Sequence, residues 1–148
     1  MIVIYFLISS ASQKISPGLS SFSSNYTAAG ASIVPLIQTA VKSVPANMQA
    51  TTPIILGATA GLRLMPADQA QGIIQAVQAQ LETSPFLVSP NAASVIPGQY
   101  EGIYAWVSIN FLTGTFQANE PPISIQELGG ASLQVHRHLL QTLHHILL

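Results

Sequence analysis

Apolar residues in this 148-residue chain recur at two different spacings, and the alternation between those spacings limits the fold more than any other feature. Met1 to Ile8 (MIVIYFLI) is a run rich in β-branched and aromatic side chains, followed by Ser9, Ser10, Ala11 and Ser12. It reads as a buried strand, or as the apolar part of a secretory signal without its preceding basic residue, and it is too short to span a bilayer. Ser16 to Thr27 is rich in Ser, Gly and Pro and reads as a loop. From Ser32 onward, Ile33, Leu36, Ile37, Ala40, Val41 and Val44 fall at helical spacing, with Pro35 in the first turn and Pro45 as the stop. Pro53 to Leu56 reads as a short buried strand ending in Gly57-Ala58-Thr59-Ala60-Gly61. A second helix is predicted over 67–82, with Ile73, Ile74, Val77 and Leu81 on its apolar face and Asp68 near its positive end. Beyond the Pro/Ser-rich connection through Pro90 and Pro97, a third helix is predicted over 101–112, with Ile103, Trp106, Val107, Asn110 and Phe111. Ile123 to Leu128 reads as a further strand ending in Gly129-Gly130.

Strands alternating with helices indicate one α/β domain with a mainly parallel or mixed sheet. Two of the strands end in small-residue turns, and such sheets bind ligands at the carboxyl ends of their strands. The Gly57–Gly61 and Gly129–Gly130 turns are therefore expected on one edge. Only four residues are basic (Lys14, Lys42, Arg63, Arg137), too few and too scattered to neutralise a nucleic-acid backbone, so DNA and RNA are excluded as partners. Charged residues make up 6% of the chain against 49% hydrophobic ones, which points to a surface of Ser, Gln and Asn or to one covered by further protein. The absence of cysteine excludes disulfides and thiolate metal sites. Asn25-Tyr26-Thr27 is an N-glycosylation acceptor and favours a secretory route.

Three segments carry candidate chemistry. In Gly57-Ala58-Thr59-Ala60-Gly61-Leu62-Arg63, small residues let backbone N–H groups approach a ligand, Thr59 adds a hydroxyl and Arg63 a cation; each has an ordinary structural role as well. In Gly98 to Val107, Glu101 opens a helix, where a carboxylate matches the helix dipole; it is a general-base candidate if it faces a bound water and an electrophile. In Glu127-Leu128-Gly129-Gly130-Ala131-Ser132-Leu133-Gln134, a carboxylate at a strand end precedes a Gly-Gly turn, a hydroxyl and an amide. That order suits an oxyanion or a hydrated divalent cation, and equally a tight turn with a surface Glu.

In this order and spacing, the three segments resemble the apyrase conserved regions of the ecto-nucleoside triphosphate diphosphohydrolase family. Residues 58–63 match its Ala-Thr-Ala-Gly-Leu/Met-Arg stretch. Glu101, Gly102, Trp106 and Asn110 match Glu-Gly-x-x-x-Trp-x-x-x-Asn, and residues 127–134 match Asp-Leu-Gly-Gly-Ala-Ser-Thr-Gln with two changes. Pro17-Gly18-Leu19-Ser20-Ser21-Phe22 resembles the loop ahead of the family's first helix.

The resemblance covers residues 1–135 and implies a partial N-terminal lobe of an actin-like (ribonuclease H-like) fold, a mixed sheet with flanking helices. Nucleoside tri- and diphosphates would be hydrolysed stepwise between two lobes with Ca²⁺ or Mg²⁺, in the secretory pathway or outside the cell. It implies Glu101 as general base, Ser132 and Gln134 positioning the water, and Glu127 holding the metal through water. Thr59, Ala60, Gly129, Gly130 and Ala131 would bind phosphate.

Departures from the family pattern are the phosphate loop Asp-x-Gly-Ser-Ser-x-Thr expected before the first strand, Glu127 in place of Asp, and Leu133 in place of Thr. Residues 136–148 read as an unrelated tail whose His138 and His145 could share a helical face without a carboxylate. The alternatives are a non-catalytic remnant lacking that loop and the base-binding lobe, at most pairing with a second lobe, and a small secreted binding module.

Overall fold

The computed structural model describes residues 2–5, 12–118, 121–129 and 132–136. They form two compact units, residues 1–95 and 96–148. In the first, β1 (Ile2–Tyr5) and β2 (Ser12–Ile15) pair antiparallel with Ile2 opposite Ile15, so the described part of the opening apolar run is a strand. Residues 6–8 of that run lie outside the described residues. A 3₁₀ turn over Leu19–Phe22 leads into α1 (Tyr26–Ser32), so the expected loop is already helical at Tyr26. Helix α2 (Val34–Ser43) follows at once, with Ile33 as the hinge between the two. The single helix expected from Ser32 is therefore preceded by another. Pro35 accounts for the break, because in an unbroken helix its ring would strike the carbonyl four residues back and it has no N–H to donate. The short α3 (Ala46–Gln49) returns a side chain to α2: Gln49 Nε2 donates to the carbonyls of Val41 and Val44 at 2.9 and 2.8 Å, satisfying acceptors at the helix end.

Strand β3 (Leu56–Ala58) pairs parallel with β4 (Ala93–Val95), Leu56 opposite Ala93, across a connection that holds α4 (Ala60–Arg63) and α5 (Ala67–Glu82). Helix α5 occupies the span that periodicity predicts. The run 53–56 is not a buried strand: Pro53 makes only an isolated bridge to Leu87, and Ile55 is 72% exposed. Proline has no N–H to give a ladder, so regular pairing begins at Leu56.

Ile33, Leu36, Ile37, Leu62, Ile73, Ile74, Val77 and Leu81 form the core of this unit, with Ala92 and Ala93 beside them. Burying each large aliphatic side chain stabilises the unit by about 1.5–3 kcal/mol relative to exposure. Helices α1 and α5 interlock through small residues. A Cβ on Gly72 would lie 2.5 Å from Cζ of Tyr26, and one on Gly30 would lie 2.9 Å from the Ala76 carbonyl oxygen. Tyr26 meeting Gly72 and Gly30 meeting Ala76 makes the two helices run in the same general sense.

The second unit contains α6 (Gly98–Leu112), α7 (Thr115–Ala118) and the antiparallel pair β5 (Ile125–Leu128) and β6 (Leu133–His136). Helix α6 starts three residues before the predicted Glu101, directly after Pro97. It stops where Gly114 takes φ 72° and donates its N–H to the Phe111 carbonyl at 3.1 Å, a left-handed step that glycine adopts without a Cβ penalty. Helices α3, α5 and α6 all follow a proline (Pro45, Pro66, Pro97) with φ −53°, −53° and −58°, and none has a side-chain cap bond. The ring fixes the φ of the extended conformation that a helix start requires.

The fold is mixed α/β. Among the described residues its strands make three separate two-stranded sheets, one parallel and two antiparallel, where one mixed sheet was expected. Strands of three or four residues close their ladders locally. No helix among the described residues is long and apolar enough to cross a membrane. Of the tail, His136 lies in β6, while residues 137–148, including His138 and His145, lie outside the described residues.

Candidate active site

Helix α6 is apolar nearly all round, so periodicity alone does not select its inward face. Side-chain size does. Gly102, Trp106 and Asn110 recur every fourth residue on one stripe, and that stripe faces the β5–β6 pair. A Cβ on Gly102 would stand 3.3 Å from Cβ of Gln134, so the missing side chain is what lets β6 approach. The Trp106 ring meets Phe116 edge-on at 5.6 Å and the His136 ring at 5.0 Å. Asn110 is 0% exposed: its Nδ2 donates to the Trp106 and Ile123 carbonyls at 2.9 and 3.1 Å, and its Oδ1 accepts from the Ile123 N–H at 2.7 Å. Asn110 thus gives Ile123 the donor and acceptor that a neighbouring strand would supply, and fixes the entry to β5. Val107 and Phe111, which marked this helix in the sequence, are exposed.

The hairpin register then places the polar groups. Glu127 lies opposite Gln134, so both side chains belong to the same face, and the Gly129 N–H closes the turn on the Ser132 carbonyl at 2.8 Å. Gln134 is 8% exposed, and its Nε2 donates to Glu101 Oε2 at 3.3 Å and to Ser132 Oγ at 2.8 Å. An ionised carboxylate only accepts, so the amide nitrogen is the end that faces it. Gln134 thus brings Glu101 and Ser132 together, with Glu127 beside it by register. Glu101 also lies in the first turn of α6. Gly129 is exposed at the turn, while Gly130 and Ala131 lie outside the described residues.

In the first unit, Thr59 is the extended residue before α4, exposed and without a side-chain cap bond, and Ala60 is buried behind it. A Cβ on Gly61 would come within 3.0 Å of Ser20 Oγ, so the 3₁₀ turn closes directly on the Gly57–Gly61 segment. Leu19 and Leu62 enter the same core.

A carboxylate, a hydroxyl and an amide that converge can hold one water and draw a proton from it. Among the described residues no group of three or more His, Cys, Asp or Glu is placed to hold a metal ion. A carboxylate such as that of Glu127 is the donor type that suits a hard cation keeping most of its waters. Sequence reasoning did not foresee the clamp made by Asn110 or the steric role of Gly102; the four-residue recurrence of a glycine, an aromatic and an amide was the available signal.

The sequence model of the GDA1/CD39 (nucleoside phosphatase) family matches residues 3–143. The chain belongs to that family. Among GDA1/CD39 relatives, it is 39% identical over 124 residues to ectonucleoside triphosphate diphosphohydrolase 5 of Gallus gallus, covering 83% of this chain and 29% of that protein. It is 42% identical over 124 residues to a nucleoside-triphosphatase of Pisum sativum (82% and 27%), and 41% identical over 126 residues to a guanosine-diphosphatase of Schizosaccharomyces pombe (83% and 23%). The chain thus spans less than a third of the length of these GDA1/CD39 proteins.

Proposed function

We propose that this chain carries the water-activating part of a nucleoside tri- and diphosphate hydrolase, on part of an actin-like lobe. The observation that carries the proposal is the double donation of Gln134 Nε2 to Glu101 and Ser132. In this reading Glu101 takes the proton of the attacking water, while the Ser132 hydroxyl and the Gln134 amide hold that water in line. Gly130 and Ala131 would offer backbone N–H groups to a phosphate, with Gly129, whose N–H is spent on the Ser132 carbonyl, shaping the turn, and Thr59 and Ala60 would bind phosphate in the first unit. Glu127 would hold Ca²⁺ or Mg²⁺ through water; when bound, the cation neutralises phosphate charge. The names of the Gallus gallus, Pisum sativum and Schizosaccharomyces pombe relatives support nucleoside tri- and diphosphates as substrates, and the "ecto" of the first supports a secretory route.

The test is a hybrid in which residues 12–136 replace the matching stretch of the Gallus gallus relative. The hybrid should release phosphate from nucleotides, and Glu101→Gln within it should lower kcat about 10²–10⁴-fold with little change in KM. Hydrolysis that survives Glu101→Gln would show that another group activates the water.

A further inference from the structure

Asn25-Tyr26-Thr27 plays no part in the hydrolase reading, yet its geometry is specific. The Tyr26 ring is inserted over Gly72 of α5, and this anchor leaves the residues on either side, Asn25 and Thr27, exposed. Asn25 Oδ1 accepts a hydrogen bond from the Ala28 N–H at 3.2 Å. Its other amide atom, Nδ2, donates to none of the described residues. The two ends of one carboxamide thus differ: the oxygen is used in the fold, and the nitrogen, on an exposed residue, donates to none of the described residues. A glycan on Nδ2 would leave the oxygen's hydrogen bond intact.

We propose that Asn25 is an N-linked glycosylation site of this protein, a proposal that rests on the secretory-route reading. In the transfer, Nδ2 attacks the anomeric carbon of an oligosaccharide carried on a polyprenyl diphosphate. The new N–C bond forms as the C–O bond to the diphosphate breaks, the polyprenyl diphosphate leaves, and the transferase takes one proton from Nδ2. Thr27 supplies the hydroxyl that the acceptor tripeptide requires.

The full chain is expressed in eukaryotic cells in two forms, with its own N-terminus and behind a cleavable secretory signal, each with an appended peptide bearing a second efficient acceptor. Occupancy of Asn25 is read by mass spectrometry after enzymatic glycan release in heavy-oxygen water, on molecules whose appended acceptor carries glycan. Asn25 should be occupied in the signal-bearing form, retained in Thr27→Ser and lost completely in Thr27→Ala. It should also be lost in Asn25→Asp, which keeps an oxygen at the position that bonds Ala28 and so leaves the fold in place. A bare Asn25 beside an occupied appended acceptor overturns the proposal. Glycan at both positions in the signal-bearing form sustains Asn25 as a site, whichever result the other form gives.

Discussion

Gly102 sits inside a helix, where alanine would be favoured by about 1 kcal/mol, yet a Cβ there would press on Cβ of Gln134 at 3.3 Å. In Gly102→Ala, propensity and strain oppose each other, so unfolding free energy should change by less than about 1 kcal/mol. Pushing β6 back lengthens the contact from Gln134 to Glu101, so the hybrid bearing this change should lose kcat while KM holds. A hybrid with unchanged kcat would mean that the Gln134–Glu101 contact is not needed for turnover. Asn110→Leu removes the groups that satisfy Ile123, and the loss should cost roughly 1–3 kcal/mol. Asn110→Asp should be no better, because its second oxygen would face the carbonyls of Trp106 and Ile123. Urea unfolding followed by fluorescence of Trp106, the only tryptophan in the chain, reads both changes. The partnership of Glu101 with Gln134 spans 33 positions and has no local signature. It was legible only through the family motifs, whereas the crowding at Gly102 left no more than the four-residue recurrence of Gly102, Trp106 and Asn110 as its signal.

At the scale of elements, α5 was legible because four large aliphatic residues on one face, an acidic first turn and a preceding proline all agree. The break between α1 and α2 was hidden because Ile33, Leu36 and Ile37 keep the helical rhythm across it and only the ring of Pro35 breaks it. The inward face of α6 was hidden because apolar residues on every side carry no directional information. Ile73 is 0% exposed at the centre of the α5 face, so Ile73→Ala should cost about 2–5 kcal/mol. Gly72→Ala forces the Tyr26 ring to swing away and should cost on the order of 1–3 kcal/mol. Thermal unfolding by far-ultraviolet circular dichroism measures both. A Gly72→Ala protein as stable as the parent would show that α1 does not need its close seat on α5.

Across the whole molecule, apolar side chains face outward in the second unit: Tyr104, Phe111, Leu133 and Val135 are exposed, and Leu128 is 83% exposed. Leu133→Thr with Phe111→Gln should leave stability within about 0.5 kcal/mol. The pair should also raise the concentration at which light scattering still reports a monomer; unchanged association would place the sticky surface elsewhere. Because the chain spans at most 29% of these relatives, it should by itself release phosphate from ATP or GDP negligibly with Ca²⁺ or Mg²⁺. Substrate positioning supplies about 7–11 kcal/mol in favourable cases, and a base without a fixed electrophile does not replace it. Metal-dependent turnover abolished by Glu101→Gln would overturn that expectation. The prolines before α3, α5 and α6 carry a different consequence. A cap written into a five-membered ring has nothing to protonate and no charge for salt to screen, and in α3, unlike α5 with Asp68 and α6 with Glu101, no acidic residue follows in the first turn. In a chain with four basic and five acidic residues, the α3 start should therefore hold alike across pH and from dilute buffer to brine, while α5 and α6 each keep one carboxylate in the first turn beside the proline.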